Sequence, residues 1–180
     1  MRNVKKIVYI AIFSALIAIC SLIQIPYVVP FTLQTFAVFL TLLCLGGKSG
    51  TIAILVYIFL GAIGFPVFSG FRSGVGVLMS PTGGYIIGFV VQGFIYIIFE
   101  LFHFKYRDII SLVVGLAVLY ILGTVWFVFV ATNNNNDIGF TEAMLSCVIP
   151  FILPDVAKMV VAILIHRRLD RSKVLKKLSI

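Results

Sequence analysis

Residues 109–131 read IISLVVGLAVLYILGTVWFVFVA, a run of 23 residues without a charged side chain. A helix needs about 20 apolar residues to cross the hydrocarbon core of a bilayer, so this run predicts a transmembrane helix. Of the 180 residues in the chain, 62% are hydrophobic and 11% charged, and the mean hydropathy is +1.19. Soluble domains carry about a quarter charged residues. The composition therefore predicts an integral membrane protein and excludes disordered, collagenous, coiled-coil and disulfide-scaffold classes.

Five further apolar stretches flank this run and predict, with it, an all-α membrane bundle of six transmembrane helices in a single domain, residues 1–180. The six predicted spans are 6–25, 33–45, 50–64, 83–102, 109–131 and 143–166. The second and third are short for a crossing. The sixth contains Pro150 and Pro154. Because proline is tolerated in the first turn of a helix but breaks its interior, we expect a helix to start close to Pro154.

The basic residues mark one side of this bundle. Twelve of the 14 lysines and arginines lie at the two termini, at Lys48, and at Lys105 and Arg107, which all fall on the same side of a six-span topology. Short loops rich in Lys and Arg face the cytoplasm, so we expect both termini to be cytoplasmic. Clustering at span ends indicates membrane orientation, and no nucleic-acid partner is expected.

The connection 65–82 on the opposite, outer side has a different character. It reads FPVFSGFRSGVGVLMSPT, which is rich in Gly and Phe and too apolar for a solvated linker. Long loops without regular structure are usually functional, and irregular backbone near membrane depth survives only where protein or a cavity surrounds it. We expect a lid-like loop over the outer mouth of the bundle.

An acidic and a basic residue lie inside the last span. Asp155 and Lys158 are three residues apart, which places both side chains on one face of a helix. Ionisable groups within a membrane are costly, so each is a candidate for function. The pair has two interpretations, a structural ion pair between helices or part of a ligand site. The two overlap, because a pair that is satisfied when empty can still offer hydrogen-bond capacity to a ligand.

Other candidate residues gather at the outer mouth. Small-molecule sites need apolar walls with a few polar groups, and the candidate binding set beside Asp155 and Lys158 is Phe31, Gln34, Thr35, Arg72, Gly84 and Tyr85. Ala11 and Ala15 form a small-xxx-small face, a pattern that Gly84 and Gly88 repeat. By spacing alone, internal helix packing is the simpler explanation for both. Catalytic motifs and clustered metal ligands are missing from the sequence, so we expect no enzyme, no metal and no cofactor.

Three segments resemble a known family: PFTLQTFAVFL (30–40), YIFLGAIGFPVFSGFRSGVGVLMSPTGGYIIGF (57–89) and PDVAK (154–158). They are similar to the BioY family, the biotin-specific substrate-binding (S) components of bacterial energy-coupling factor (ECF) vitamin transporters. The resemblance implies a subunit of the bacterial plasma membrane that captures biotin from outside. It also implies docking on a transmembrane coupling protein and two ATP-binding cassette ATPases, through Ala11 and Ala15, with Asp155 and Lys158 contacting biotin.

Three alternatives remain open at this stage. The chain could be an S component for another small vitamin or a stand-alone secondary transporter, although no convincing inverted repeat accompanies it. A membrane enzyme would have to draw its chemistry from Asp155 and Lys158. The residues between helices three and four, SGFRSGVGVLMS, are bulkier than is usual in the family, which leaves the role of Arg72 open.

Overall fold

A computed structural model describes residues 2–102, 104–133 and 139–171. The predicted basic tail beyond Arg171 lies outside this part of the chain. The described residues form an all-α structure with one two-stranded antiparallel ribbon. Its elements in chain order are α1 (Arg2–Leu22), β1 (Gln24–Ile25), β2 (Phe31–Thr32), α2 (Gln34–Ala62), α3 (Val75–Leu78), α4 (Gly83–Glu100), α5 (Arg107–Asn133), α6 (Phe140–Cys147) and α7 (Ile149–Arg171).

The long helix α2 folds back on itself at Gly46. This glycine has φ 74° and ψ 172°, which is outside the helical region and favours a residue without a Cβ. In a straight helix Gln34 and Tyr57 would lie about 35 Å apart, yet the Gln34 side-chain amide donates to the Tyr57 hydroxyl at 3.1 Å. The two halves of α2 are therefore antiparallel neighbours, one for each of the predicted spans 33–45 and 50–64.

Within the described residues, five helices are long and apolar enough to cross a membrane: α1, α2, α4, α5 and α7. The all-helical membrane class expected from composition agrees with this result. The count of six crossings, which requires each half of α2 to span the bilayer, stays a prediction, as does the cytoplasmic position of the termini.

The last predicted span differs from the structure in two respects. A break at Val148, with φ −122° and ψ −55°, separates α6 from α7, so residues 143–166 are not one helix. The expected helix start near Pro154 is also wrong, because α7 begins at Ile149 and holds Pro154 in its interior. Pro150 occupies the first turn, where proline is tolerated, whereas Pro154 removes one backbone hydrogen bond.

Small residues bring the helices together in the centre of the bundle. A Cβ on Gly84 would lie 2.3 Å from Trp126, and one on Gly88 would lie 3.1 Å from Leu119, so this stripe packs α4 on α5. The stripe of Ala11 and Ala15 differs, since both residues are exposed. Internal packing, the simpler explanation by spacing alone, therefore holds for the glycines and is wrong for the alanines.

Polar contacts define the two ends of the bundle. At the end that we call inner, the turn of α2 meets the end of α4, where the Glu100 carboxylate accepts the Gly47 N–H at 2.9 Å. A carboxylate at the start of a helical segment is favourable because it satisfies a free N–H there. At the outer end, the Ser21 hydroxyl donates to the Val67 carbonyl, which ties connection 65–82 to the end of α1.

We predict that Gly47→Ala destabilises the fold by about 1–3 kcal/mol, the usual cost of overpacking. The added Cβ would lie 2.7 Å from Glu100 Oε2 and 2.9 Å from the Cα of Ile97, which is backbone and cannot rotate away. Thermal unfolding of the detergent-purified protein measures the effect. Gly76→Ala is the control, because no atom of the described part of the chain lies within 4 Å of its Cβ position. Equal melting temperatures for the two variants would contradict the prediction.

Candidate functional site

A cavity of about 70 Å³ lies in the outer part of the bundle, between α2, α4, α5, α7 and connection 65–82. Its polar wall is formed by Thr32, Gln34, Thr35, Ser69, Arg72, Thr82, Tyr85, Tyr120, Asp155 and Lys158. Its apolar wall is formed by Val29, Pro30, Phe68, Val77, Ile86, Phe89, Leu119, Cys147 and Phe151. Apolar walls with a few convergent polar groups are typical of small-molecule sites.

The Asp155 carboxylate is the most buried charge on this wall, with 2% of the residue exposed. Its Oδ1 accepts hydrogen bonds from the Thr35 hydroxyl and from Lys158 Nζ, both at 2.8 Å. Its Oδ2 accepts one from the Tyr120 hydroxyl at 2.7 Å. A carboxylate offers about four acceptor positions. Three are therefore used, and one is left for a further donor.

Lys158 has its donors satisfied within the protein. Besides Asp155, its ammonium group donates to the Thr32 carbonyl at 2.7 Å and to the Thr35 hydroxyl oxygen at 3.1 Å. An ammonium group has three donors, so this arrangement uses all of them. The ion pair is thus a structural tie and also a wall of the cavity, and the capacity left for a ligand lies on Asp155.

Connection 65–82 closes the outer side of the cavity. Phe68 is fully buried, and its ring lies over Gly61, where a Cβ would come within 2.1 Å of it. The ring meets Tyr57 edge-on, with centroids 5.7 Å apart. At the far end of the connection, the indole N–H of Trp126 donates to the Ser80 carbonyl at 3.0 Å. The segment is therefore anchored at both ends, and it contains the short helix α3.

Arg72 lies at the exposed rim of the cavity. Its Nε donates to the Ser69 carbonyl at 3.0 Å, while the Ser69 hydroxyl donates to the Gln24 side chain. These bonds tie the rim to the ribbon of β1 and β2. The terminal nitrogens of the guanidinium group extend beyond this Nε contact, so Arg72 combines a positional role in the connection with a positive charge on the cavity wall.

The structure brings most of the predicted binding set together. Six of its members line the cavity: Gln34, Thr35, Arg72, Tyr85, Asp155 and Lys158. Phe31 is one step removed, because it stacks on the lining residue Phe151 with centroids 4.0 Å apart. Gly84 is not on the wall, because it faces Trp126 in the interface of α4 with α5.

Several lining residues were missed by reading the sequence. Tyr120 matters most, since it is the third partner of Asp155. Tyrosine counts as hydrophobic in a composition scan, so its hydroxyl does not interrupt the apolar run 109–131. A search for phenol groups in the middle of the spans would have found it. Phe68 and Phe151 were missed because nothing in their spacing shows which aromatic rings face a cavity.

Comparison with known proteins gives the family. A profile of the BioY family matches residues 1–174. The probable biotin transporter BioY of Pyrococcus horikoshii is 40% identical over 167 residues, which cover 92% of this chain and 96% of the relative. The biotin transporter BioY of Thermotoga maritima is 41% identical over 172 residues, covering 94% and 98%. The chain belongs to the BioY family.

A solved structure shares the fold of this BioY family member. It is the S-component for biotin from an ECF-type ABC transporter, with a TM-score of 0.80 and 28% identity over 94% of this chain and 92% of that one. The resemblance seen in the sequence is therefore confirmed. Because the matched relatives are transporters, the expectation of a transport protein rather than an enzyme is confirmed as well.

We predict that Lys158→Met destabilises the protein by about 3–5 kcal/mol, because it leaves the buried Asp155 carboxylate without its counter-charge. The double variant Asp155→Asn/Lys158→Met removes both charges and recovers most of the loss. Thermal unfolding in detergent measures both effects. Lys48→Met, at an exposed position, is the control. If Lys158→Met melts together with Lys48→Met, the buried pair does not stabilise the fold.

Proposed function

We propose that this chain is the biotin-binding S component of an ECF-type transporter in the plasma membrane. The observation that carries the proposal is the buried Asp155 carboxylate on the wall of the outer cavity, with an acceptor position left after three hydrogen bonds. The BioY relatives, named as biotin transporters, supply the identity of the ligand.

The chemistry of the cavity suits the parts of biotin. Its ureido ring has two N–H donors, which match a carboxylate acceptor. The free position on Asp155 takes one of them, and displacement of the Tyr120 hydroxyl from Oδ2 provides a place for the second. Phe68 and Phe151 offer apolar walls to the thioether ring and alkyl chain. Together Asp155, Lys158 and Arg72 have a net charge of +1, which favours a monoanionic ligand, with Arg72 placed to bind its carboxylate.

Entry of biotin requires the outer wall to move. Small-molecule sites usually have volumes of at least about 300 Å³, whereas this cavity has about 70 Å³. Connection 65–82 is the part of the wall that lies outside the long helices, and its ties to the bundle include the Ser21 and Ser69 hydroxyls. We propose that it acts as the lid expected from the sequence, opening outward for biotin and closing over it.

The proposed topology has six crossings with both termini in the cytoplasm. The fold-back at Gly46 supports it, because each half of α2 then crosses once. The charge distribution supports it too, since Lys5, Lys48, Lys105 and Arg167 lie at span ends that the topology places on the inner side. In this orientation the cavity and connection 65–82 lie on the side of the cell exterior, as capture of an external vitamin requires.

The exposed face of Ala11 and Ala15 is the proposed docking site for the coupling protein, which carries the two ATPases. Small residues on an exposed helix face allow close approach of another helix in a membrane. The opposite face of α1 is occupied within the bundle, where the Ser14 hydroxyl donates to the Ala53 carbonyl at 2.8 Å. Docking on the alanine face would therefore leave the interior of the protein and the cavity unchanged.

We predict that the purified chain alone binds labelled biotin and that Asp155→Ala weakens this binding at least tenfold, about 1.4 kcal/mol, because a charge-assisted hydrogen bond is lost. Equilibrium binding measures it, with thiamine and riboflavin as competitors that should have no effect. Asp170→Ala is the matched control, since Asp170 is an exposed carboxylate on the same helix. Unchanged affinity in Asp155→Ala would make the ion pair purely structural, and competition by another vitamin would change the proposed ligand.

We predict that Ala11→Trp and Ala15→Trp keep biotin binding but lower ATP-dependent biotin uptake by cells at least tenfold, because a bulky side chain blocks close helix contact. Ala117→Trp, on an exposed position of α5, should keep both activities. Normal uptake in the two α1 variants would reject the docking face. Uptake that survives loss of the ATPases and collapses with the proton gradient would instead indicate a secondary transporter.

A further inference from the structure

The inner half of the bundle has a second concave feature, a groove between α5 and α7. It has a volume of about 430 Å³, and its walls are apolar side chains of both helices, including Val113, Leu116, Met159 and Val160. It begins beside Asp155, at Val156, and extends toward the inner end as far as Arg167. None of its lining residues belongs to the outer cavity.

The dimensions of the groove match one lipid leaflet. From Val156 to Arg167 is eleven residues, or about 16 Å of helix, and half of a hydrocarbon core is about 15 Å. The groove is therefore long enough for the part of an acyl chain that lies in one leaflet, and its apolar walls suit such a chain.

The groove has a positive charge at its inner end, which favours lipids with an anionic headgroup. Among the described residues that line it, Arg167 is the charged one, and it lies at the inner end. It forms no salt bridge within the described part of the chain, so its guanidinium group has free donors. Guanidinium binds phosphate oxygens in bidentate fashion, and a long basic side chain at a span end reaches the headgroup level.

We propose that this groove binds one acyl chain of an anionic phospholipid, whose phosphate headgroup lies on Arg167. The wall is open to the surrounding bilayer, since Val113, Val156 and Val160 are each about half exposed (51%, 46% and 49%). Lipid reaches this site by lateral diffusion, without passing the outer cavity. This lipid site is separate from the proposed biotin site. Its ligand is an anionic phospholipid of the inner leaflet.

Two matched pairs of variants test the site. The full chain is purified in detergent and titrated with phosphatidylglycerol or with phosphatidylcholine of the same acyl chains, and native mass spectrometry measures the lipid-bound fraction. Arg167→Gln is compared with Arg168→Gln, which removes the same charge from the adjacent exposed position. Val160→Phe fills the groove and is compared with Val161→Phe, at a neighbouring residue of similar exposure that does not line it.

We expect wild type to bind phosphatidylglycerol at least fivefold more tightly than phosphatidylcholine. Arg167→Gln should abolish this preference, whereas Arg168→Gln should keep it. Val160→Phe should weaken binding of both lipids at least fivefold, whereas Val161→Phe should not. Unaltered biotin affinity and melting temperature show that the variants are folded. If Val160→Phe fails to fold, the arginine pair decides alone.

Two results would overturn the proposal. They are equal lipid binding by Arg167→Gln and Arg168→Gln, and equal affinity of wild type for the two lipids. Biotin binding is read separately in the same samples, so a failure of the vitamin-binding proposal is distinguished from a failure of the lipid site.

Discussion

The structure depends on an ion pair that is buried within the helical bundle. An unpaired charge at this depth would cost several kcal/mol, and Asp155 avoids the cost with partners from different parts of the fold: Thr35 from α2, Tyr120 from α5 and Lys158 from α7. Lys158 extends the cluster to the carbonyl of Thr32 in β2. The ion pair and its hydrogen bonds thus join elements that are distant in sequence. Because the pair also lies on the wall of the outer cavity, the Asp155 carboxylate both stabilises the fold and is the proposed contact for the ligand.

The fold-back of α2 makes this convergence possible. Because the chain reverses at Gly46, Gln34 and Tyr57 meet at the outer end while Gly47 meets Glu100 at the inner end. The second half of α2 is therefore held at both ends, by a polar side chain in each case. Phe68 then packs on Gly61 near its outer end, which attaches the proposed lid to this helix. In the proposed opening, the rest of the connection would move about this attachment.

Features that depend on local sequence were predictable, and features that depend on which face of a helix meets which neighbour were not. Run length and charge predicted the apolar helices, and the three-residue spacing predicted the contact of Asp155 with Lys158. Ala11 and Gly84 show the limit, because the same small-xxx-small spacing faces outward in one helix and a tryptophan in the other. Pro154 shows a second limit. The rule that proline begins a helix competes with tertiary packing, which here keeps the helix continuous through it.

The hydrogen bond from Tyr120 to Asp155 lies on the wall of the outer cavity, close to the outer end of the groove. On its outer side both residues line the cavity, and on its inner side the groove begins one helical turn below Tyr120, at Leu116, and one residue after Asp155, at Val156. The same bond links α5 to α7, the two helices whose side chains line the groove. A ligand that takes the place of the Tyr120 hydroxyl on Asp155 removes this link. Because neither Tyr120 nor Asp155 lines the groove, the proposed displacement changes the wall of the cavity and leaves the lining of the groove as it is.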